Sequence, residues 1–93
     1  MKKIYKYEIK PDELRVEMPQ GAKIVHVDNQ REHLCLWAEI DPDAPVEVRQ
    51  FAVFPTGGHI PEYPDVTVKH LGTVNVKDGF FIFHVYEVIK IPQ

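Results

Sequence analysis

Between two strand-like runs of this chain lies Phe54-Pro55-Thr56-Gly57-Gly58-His59-Ile60-Pro61, continued by Glu62-Tyr63-Pro64. Successive glycines can turn their backbone N–H groups toward an anion, while Thr56 would add a hydroxyl and His59 an imidazole that is neutral or charged near neutral pH. The prolines at 55, 61 and 64 restrict the backbone, and a stiff loop loses less entropy when it binds. Tyr63 stands in this loop outside any alternating run, so it is the aromatic residue that packing explains least. The residues expected to bind a ligand are therefore Thr56, Gly57, Gly58, His59 and Tyr63, in the loop 54–64. The ligand class that suits backbone donors, a hydroxyl and an imidazole is a small anionic molecule or nucleotide. The plain alternative is a wide connection between strands, because the phosphate-loop spacing with its lysine is missing.

Other chemistries find less to work with. A metal site would start from His33 and Cys35, which alternation places on one strand face, with His26 or His84 approaching from a neighbouring strand. No Cys-x-x-Cys and no helical His-x-x-x-His supports it, so His26, His70 and His84 read as half-buried sheet histidines with hydrogen-bond partners. Nucleophilic catalysis would need Cys35 or Thr56 beside a base, yet Cys35 between Leu34, Leu36 and Trp37 has the setting of a small core residue. Glu39, Asp41 and Asp43 crowd a proline-rich turn, where carboxylates ordinarily face water. The expectation is a protein without catalytic residues, metal or cofactor, and not an enzyme.

The chain has 93 residues, 44% hydrophobic and 27% charged, with a formal charge of −3. That length predicts one domain over 1–93 with a single core. Lysines and arginines are scattered, so no basic stripe offers the counterion release that rewards binding to a nucleic-acid polymer. A lone cysteine excludes an intramolecular disulfide framework and suits the cytoplasm. Lys6, Glu8 and Lys10 interrupt any apolar core of a leader after Lys2-Lys3, and no run approaches the ~20 apolar residues of a membrane-spanning helix. The protein is expected to be soluble and not exported by a cleaved leader.

Period two dominates the elements that must carry these residues. Tyr5, Tyr7 and Ile9 alternate with polar neighbours before Pro11-Asp12; Leu14, Val16 and Met18 follow. Residues 12–18 admit either a short helix begun at Pro11 or a strand, and the few residues between two prolines favour the strand. Residues 22 to 40 read as a hairpin through the polar connection Asn29 to Glu32. From Val46 the alternation changes phase near Gln50, which a β-bulge would reconcile with Phe51 and Val53. Val66, Val68, His70, Gly72, Val74 and Val76 share a face before the turn at Asp78-Gly79, whose type I′ geometry needs two positive φ angles. The last strand alternates Phe81, Phe83 and Val85 with Phe80, Ile82, His84, Tyr86 and Val88, apolar on both sides, so it should be central or covered twice. Six to seven short strands predict an all-β fold, a compact antiparallel sandwich or partly closed barrel.

So small a chain cannot cover both faces of such a sheet, which predicts a homo-oligomer. The ordered series Lys2-x-x-Tyr5-Lys6-Tyr7-Glu8, Met18-Pro19-Gln20-Gly21-Ala22-Lys23-Ile24, Cys35-Leu36-Trp37-Ala38, Thr56 to Pro61, Leu71-Gly72-Thr73-Val74 and Phe83 to Val88 resembles a family of small β-rich proteins encoded mainly by bacteriophages and prophages. In those relatives the loop reads closer to Thr-Gly-His-Pro-Ile, so this chain carries an extra glycine and a displaced proline. The resemblance implies a phage origin, a β-rich fold and work in the host cytoplasm, and it carries no catalytic residues. Two functions follow as expectations: an accessory protein that binds or sequesters a small anionic ligand through the loop 54–64, or a protein-interaction module, an inhibitor or adaptor of a host or phage protein, that uses an edge strand and an aromatic patch such as Trp37 and Tyr63.

Overall fold

A computed structural model describes residues 1–90. It holds seven strands: β1 (Lys3–Glu8), β2 (Arg15–Pro19), β3 (Lys23–Gln30), β4 (His33–Ile40), β5 (Val46–Pro55), β6 (Val66–Val76) and β7 (Phe81–Lys90). They form two antiparallel sheets, one of order β1-β4-β3 and one of order β2-β5-β7-β6. The all-β expectation holds as a sandwich and not as a closed barrel, and β7 is central between β5 and β6. Residues 15–19 are strand, and no helix able to cross a membrane is found among the described residues.

Apolar alternation explains the layering. Leu36, Ala38 and Ile40 of β4, Val27 of β3, Met18 of β2, Phe51 of β5, Val74 of β6 and Val85 of β7 point inward into one buried cluster, joined by Ile9 and Ala22 from the connections. The chain changes sheets three times, at the two connections that flank β2 and at the proline-marked connection from β4 to β5. Ile9 N–H donates to Leu34 O at 2.8 Å and Phe51 N–H to Leu14 O at 2.9 Å, so the β1–β2 connection is held to both sheets. At the next crossing Gly21 takes φ of +77°, which a side chain there would resist.

Three strands depart from the expected pattern, β3, β5 and β6. β5 pairs with β2 and β7 without any register shift, so the expected bulge near Gln50 is absent. Instead Glu47 and Arg49 share the inward face with Phe51 and Val53, and Val46 and Val48 stand in solvent at 62% and 60% exposure. The reason is Arg49, which donates through Nε to Glu87 Oε2 at 2.6 Å and through Nη2 to Glu87 Oε1 at 2.8 Å. Its Nη1 donates to Ala22 O. A charge reads as an outward position in a sequence; here a bidentate partner draws it inward.

Register shifts lie instead in β3, between Ile24 and His26, and in β6, between His70 and Gly72. Val66, Val68 and His70 therefore lie opposite Lys90, Val88 and Tyr86, while Gly72, Val74 and Val76 lie opposite Val85, Phe83 and Phe81 on the other face. The single face expected for the six residues is split in two, with Leu71 and Gly72 turned toward the core. The glycine has a specific cause: a Cβ on Gly72 would lie 2.3 Å from Cγ2 of Val27, where β3 crosses closest to β6. Asn29 Nδ2 donates to Asn75 O at 3.3 Å along the same seam.

Both hairpins turn through left-handed backbone. At the β6–β7 turn Asp78 and Gly79 have φ of 55° and 85°, and Phe80 N–H donates to Lys77 O at 3.0 Å, the type I′ geometry expected there, with Lys77 itself at 54°. The β3–β4 hairpin turns at Arg31 and Glu32, with φ of 52° and 65° and neither glycine nor asparagine at either place.

Gly72→Ala is expected to cost roughly 1–3 kcal/mol of unfolding free energy, since valine has little rotamer freedom to yield. In a Val27→Ala background the added methyl has room, so a denaturant double-mutant cycle should return a favourable coupling of about 1 kcal/mol or more.

Candidate functional site

The loop that joins β5 to β6 is exposed from Pro55 to Asp65. Gly58 N–H donates to Pro55 O at 2.9 Å, with Gly57 at φ of +85° as the third residue of the turn, so the Gly58 amide is spent on the loop itself. A Cβ on Gly58 would lie 3.0 Å from Pro55 O, which accounts for the second glycine by packing. His59 faces solvent, and Tyr63 is 62% exposed, its carbonyl accepting from Val66 N–H at 3.3 Å.

Thr56 is different, because its partner comes from another strand. Its Oγ1 lies 2.8 Å from Nε2 of His84 on β7, and Thr73 Oγ1 of β6 lies 3.1 Å from Nδ1 of the same ring. One nitrogen of a neutral imidazole donates and the other accepts, and a hydroxyl can do either, so two threonines satisfy His84 completely. Thr73 Oγ1 also lies 3.5 Å from Nε2 of His70. His70 meets Tyr86 edge-on at 5.1 Å between ring centres, and Tyr86 meets Phe54 edge-on at 5.6 Å. The structure thus brings together Phe54, Thr56, His70, Thr73, His84 and Tyr86, of which the sequence reading placed only Thr56 in a site.

These six residues occupy the outer face of the four-stranded sheet. Register puts Val48, Ala52 and Phe54 of β5, Ile82, His84, Tyr86 and Val88 of β7, and Val66, Val68 and His70 of β6 on that face. The strand pairings place Arg15 and Glu17 of β2 and Lys90 at its margins, and its interior carries no lysine, arginine, aspartate or glutamate. The outer face of the other sheet is the reverse. There Lys6 and Glu8 of β1, His33 and Glu39 of β4, and Lys23, His26, Asp28 and Gln30 of β3 surround Trp37, whose ring meets His26 at 5.6 Å.

Catalysis has one near fit. A hydroxyl 2.8 Å from an imidazole nitrogen has the spacing of a nucleophile and its base. The group behind the ring, however, is the Thr73 hydroxyl, which gives an imidazolium no anionic partner, and the Gly58 amide is already engaged with Pro55 O. Cys35 is buried, as expected of a small core residue, although its side of β4 is the one that carries His33 and Glu39. Lys6 donates to Gln30 across the strand that carries it, and burial pushes its thiol pKa up, against a lowering by Lys6 and with a further rise from Glu8. His33 Nδ1 sits 2.8 Å from Glu8 Oε1 and His26 Nε2 3.4 Å from Asp28 Oδ2, so both histidines named beside Cys35 have carboxylate partners. Among the described residues no three His, Cys, Asp or Glu side chains converge on one point.

The family described as a domain of unknown function (DUF7352) matches residues 1–92. No curated protein and no solved structure matches the chain.

Native Cys35 is expected to react slowly with Ellman's reagent at pH 8, at a rate that rises at least about tenfold when the chain is unfolded in denaturant, because the raised pKa keeps the thiol protonated. An equal rate in both states would mean that the thiol is open to solvent.

Proposed function

We propose that this chain, which belongs to the DUF7352 family, is a non-catalytic protein-interaction module that assembles with a second copy through the outer face of its four-stranded sheet. The observation that carries the reading is the contrast between the two outer faces. An antiparallel sheet that meets water on one side ordinarily alternates apolar and polar residues. Val48, Phe54, Val68, Tyr86 and Val88 break that rule together, on one face.

Two further observations fit self-assembly. A face whose interior lacks formal charge meets its own copy without like-charge repulsion, although the chain carries −3. One polar cluster within it, His84 between the two threonines, is internally paired, and such a satisfied cluster can be buried at little cost. On the far side the hairpin tip presents Phe80, 80% exposed and edge-on to Phe81 at 4.9 Å, as an anchor for a different protein. The resemblance to phage-encoded proteins suggests that this partner is a host or phage protein and the module an inhibitor or adaptor. Capture of a small anion by the loop 54–64 has less support, because the Gly58 amide is engaged and His59 and Tyr63 stand apart from Thr56.

Sedimentation velocity at micromolar concentration should show a dimer for the wild type and a monomer for Val48→Lys/Phe54→Lys, with melting temperatures for the variant within a few degrees of a monomeric reference. A wild type that stays monomeric to about 100 μM would set the self-assembly reading aside, since an affinity weaker than that corresponds to only about 5.5 kcal/mol.

A further inference from the structure

At the end of the sandwich beside the β3–β4 turn the two sheets part, leaving a cleft of about 390 Å³. Its walls come from both layers: Ile9 and Leu14 from the β1–β2 connection, Leu34 from β4, Val53 from β5, Val76 from β6 and Phe83 from β7. All but Ile9 are half-buried, so the cleft continues the core outward and opens to solvent. Polar groups are confined to other lining residues, Glu8, Lys10, Glu32 and His33. We propose that this cleft binds a small amphiphilic molecule, its apolar body between the sheets and its one polar end at these four side chains.

Three features select that class. The volume lies within the range of about 300–1,000 Å³ typical of small-molecule sites. A peptide brings a donor and an acceptor with every residue, and walls made of aliphatic and aromatic side chains offer them no partners, whereas a single polar end needs partners in one place. The polar residues also sit where the backbone accepts strain. Arg31 and Glu32 both adopt left-handed φ in a turn that asparagine and glycine would form at lower cost, and Glu32, one of the lining residues, accepts from Asn29 Nδ2 at 3.3 Å. Both charge signs are present, with Glu8 and His33 paired at 2.8 Å, so a neutral hydroxyl is the head group they accommodate without displacing that pair.

The cleft is separate from the outer face proposed as the assembly surface: Val53, Phe83 and Val76 point to the opposite side of their strands from Phe54, His84 and Asn75. The test uses n-octanol and amide chemical-shift mapping by NMR on the full chain. Saturable shifts centred on Ile9, Leu34, Val53, Val76 and Phe83 are expected, with binding at least about tenfold weaker in Val76→Phe, whose ring fills the space. Val53→Phe provides a second filled variant if the first fails to fold, and each folded variant should melt at or above the wild type. Shifts that do not saturate, shifts centred on Phe54 and Tyr86, or undiminished binding in a folded filled variant would overturn the proposal. Because the readout is independent of oligomeric state, it fails or succeeds separately from the dimer.

Discussion

The Arg49–Glu87 pair decides how this sandwich is assembled. Its two parallel hydrogen bonds join neighbouring central strands on their inward face, and its third donor holds Ala22 in the connection between the sheets. With side-chain exposures of 17% and 11%, the pair lies mostly out of water, where loss of one partner leaves a charge stranded at a cost of roughly 3–5 kcal/mol. Because side chains alternate strictly along a strand, placing Arg49 inward places Glu47, Phe51 and Val53 inward as well. Val46, Val48, Ala52 and Phe54 are then committed to the outside.

From that commitment comes the inequality of the two outer faces. The three-stranded sheet shows water charged side chains and two histidine–carboxylate contacts around Trp37, with Ile4 beside them, while the four-stranded sheet shows it valines and aromatic rings around a threonine–histidine–threonine cluster. The seam at Gly72 completes the arrangement: with no side chain there, β3 settles onto β6 along one side. At the end beside the β3–β4 turn the layers are tied by the β1–β2 connection and by Asn29 to Asn75, and the cleft opens between these ties. The apolar outer face thus follows from the phase of β5, and the cleft from side chains that leave the space between the layers unfilled.

Much of the fold was legible in the chain. Period two and proline-marked turns carried the strands, Asp78-Gly79 carried its turn, and the doubly apolar last strand carried its central position. Two readings failed for different reasons: in β5 polarity was read as exposure, and in β6 the close approach of Val27 at Gly72, which splits the strand's face, has no local signature. Arg49 between Val48 and Gln50 looked like a solvent position, and a bulge was needed at Gln50 to rescue the pattern; its partner lies 38 residues away and has no local signature. The same distance hid the site. Thr56 was found as a loop hydroxyl, but its companion is His84 across the sheet and not His59 three residues on. The alternation Ile82, His84, Tyr86, Val88 held the signal; which strands would flank it did not appear in any local run.

The most direct measurement is the side-chain NOE pattern along β5. The account predicts cross-peaks from the Arg49 side-chain protons to Ala22, and from the Phe51 ring to methyl groups of the buried cluster such as those of Leu36 and Val85, with none from the Val46 or Val48 methyls to that cluster. Cross-peaks from Val48 methyls to Met18 or Leu36, the pattern that a bulge at Gln50 requires, would contradict it, and with it the apolar outer face.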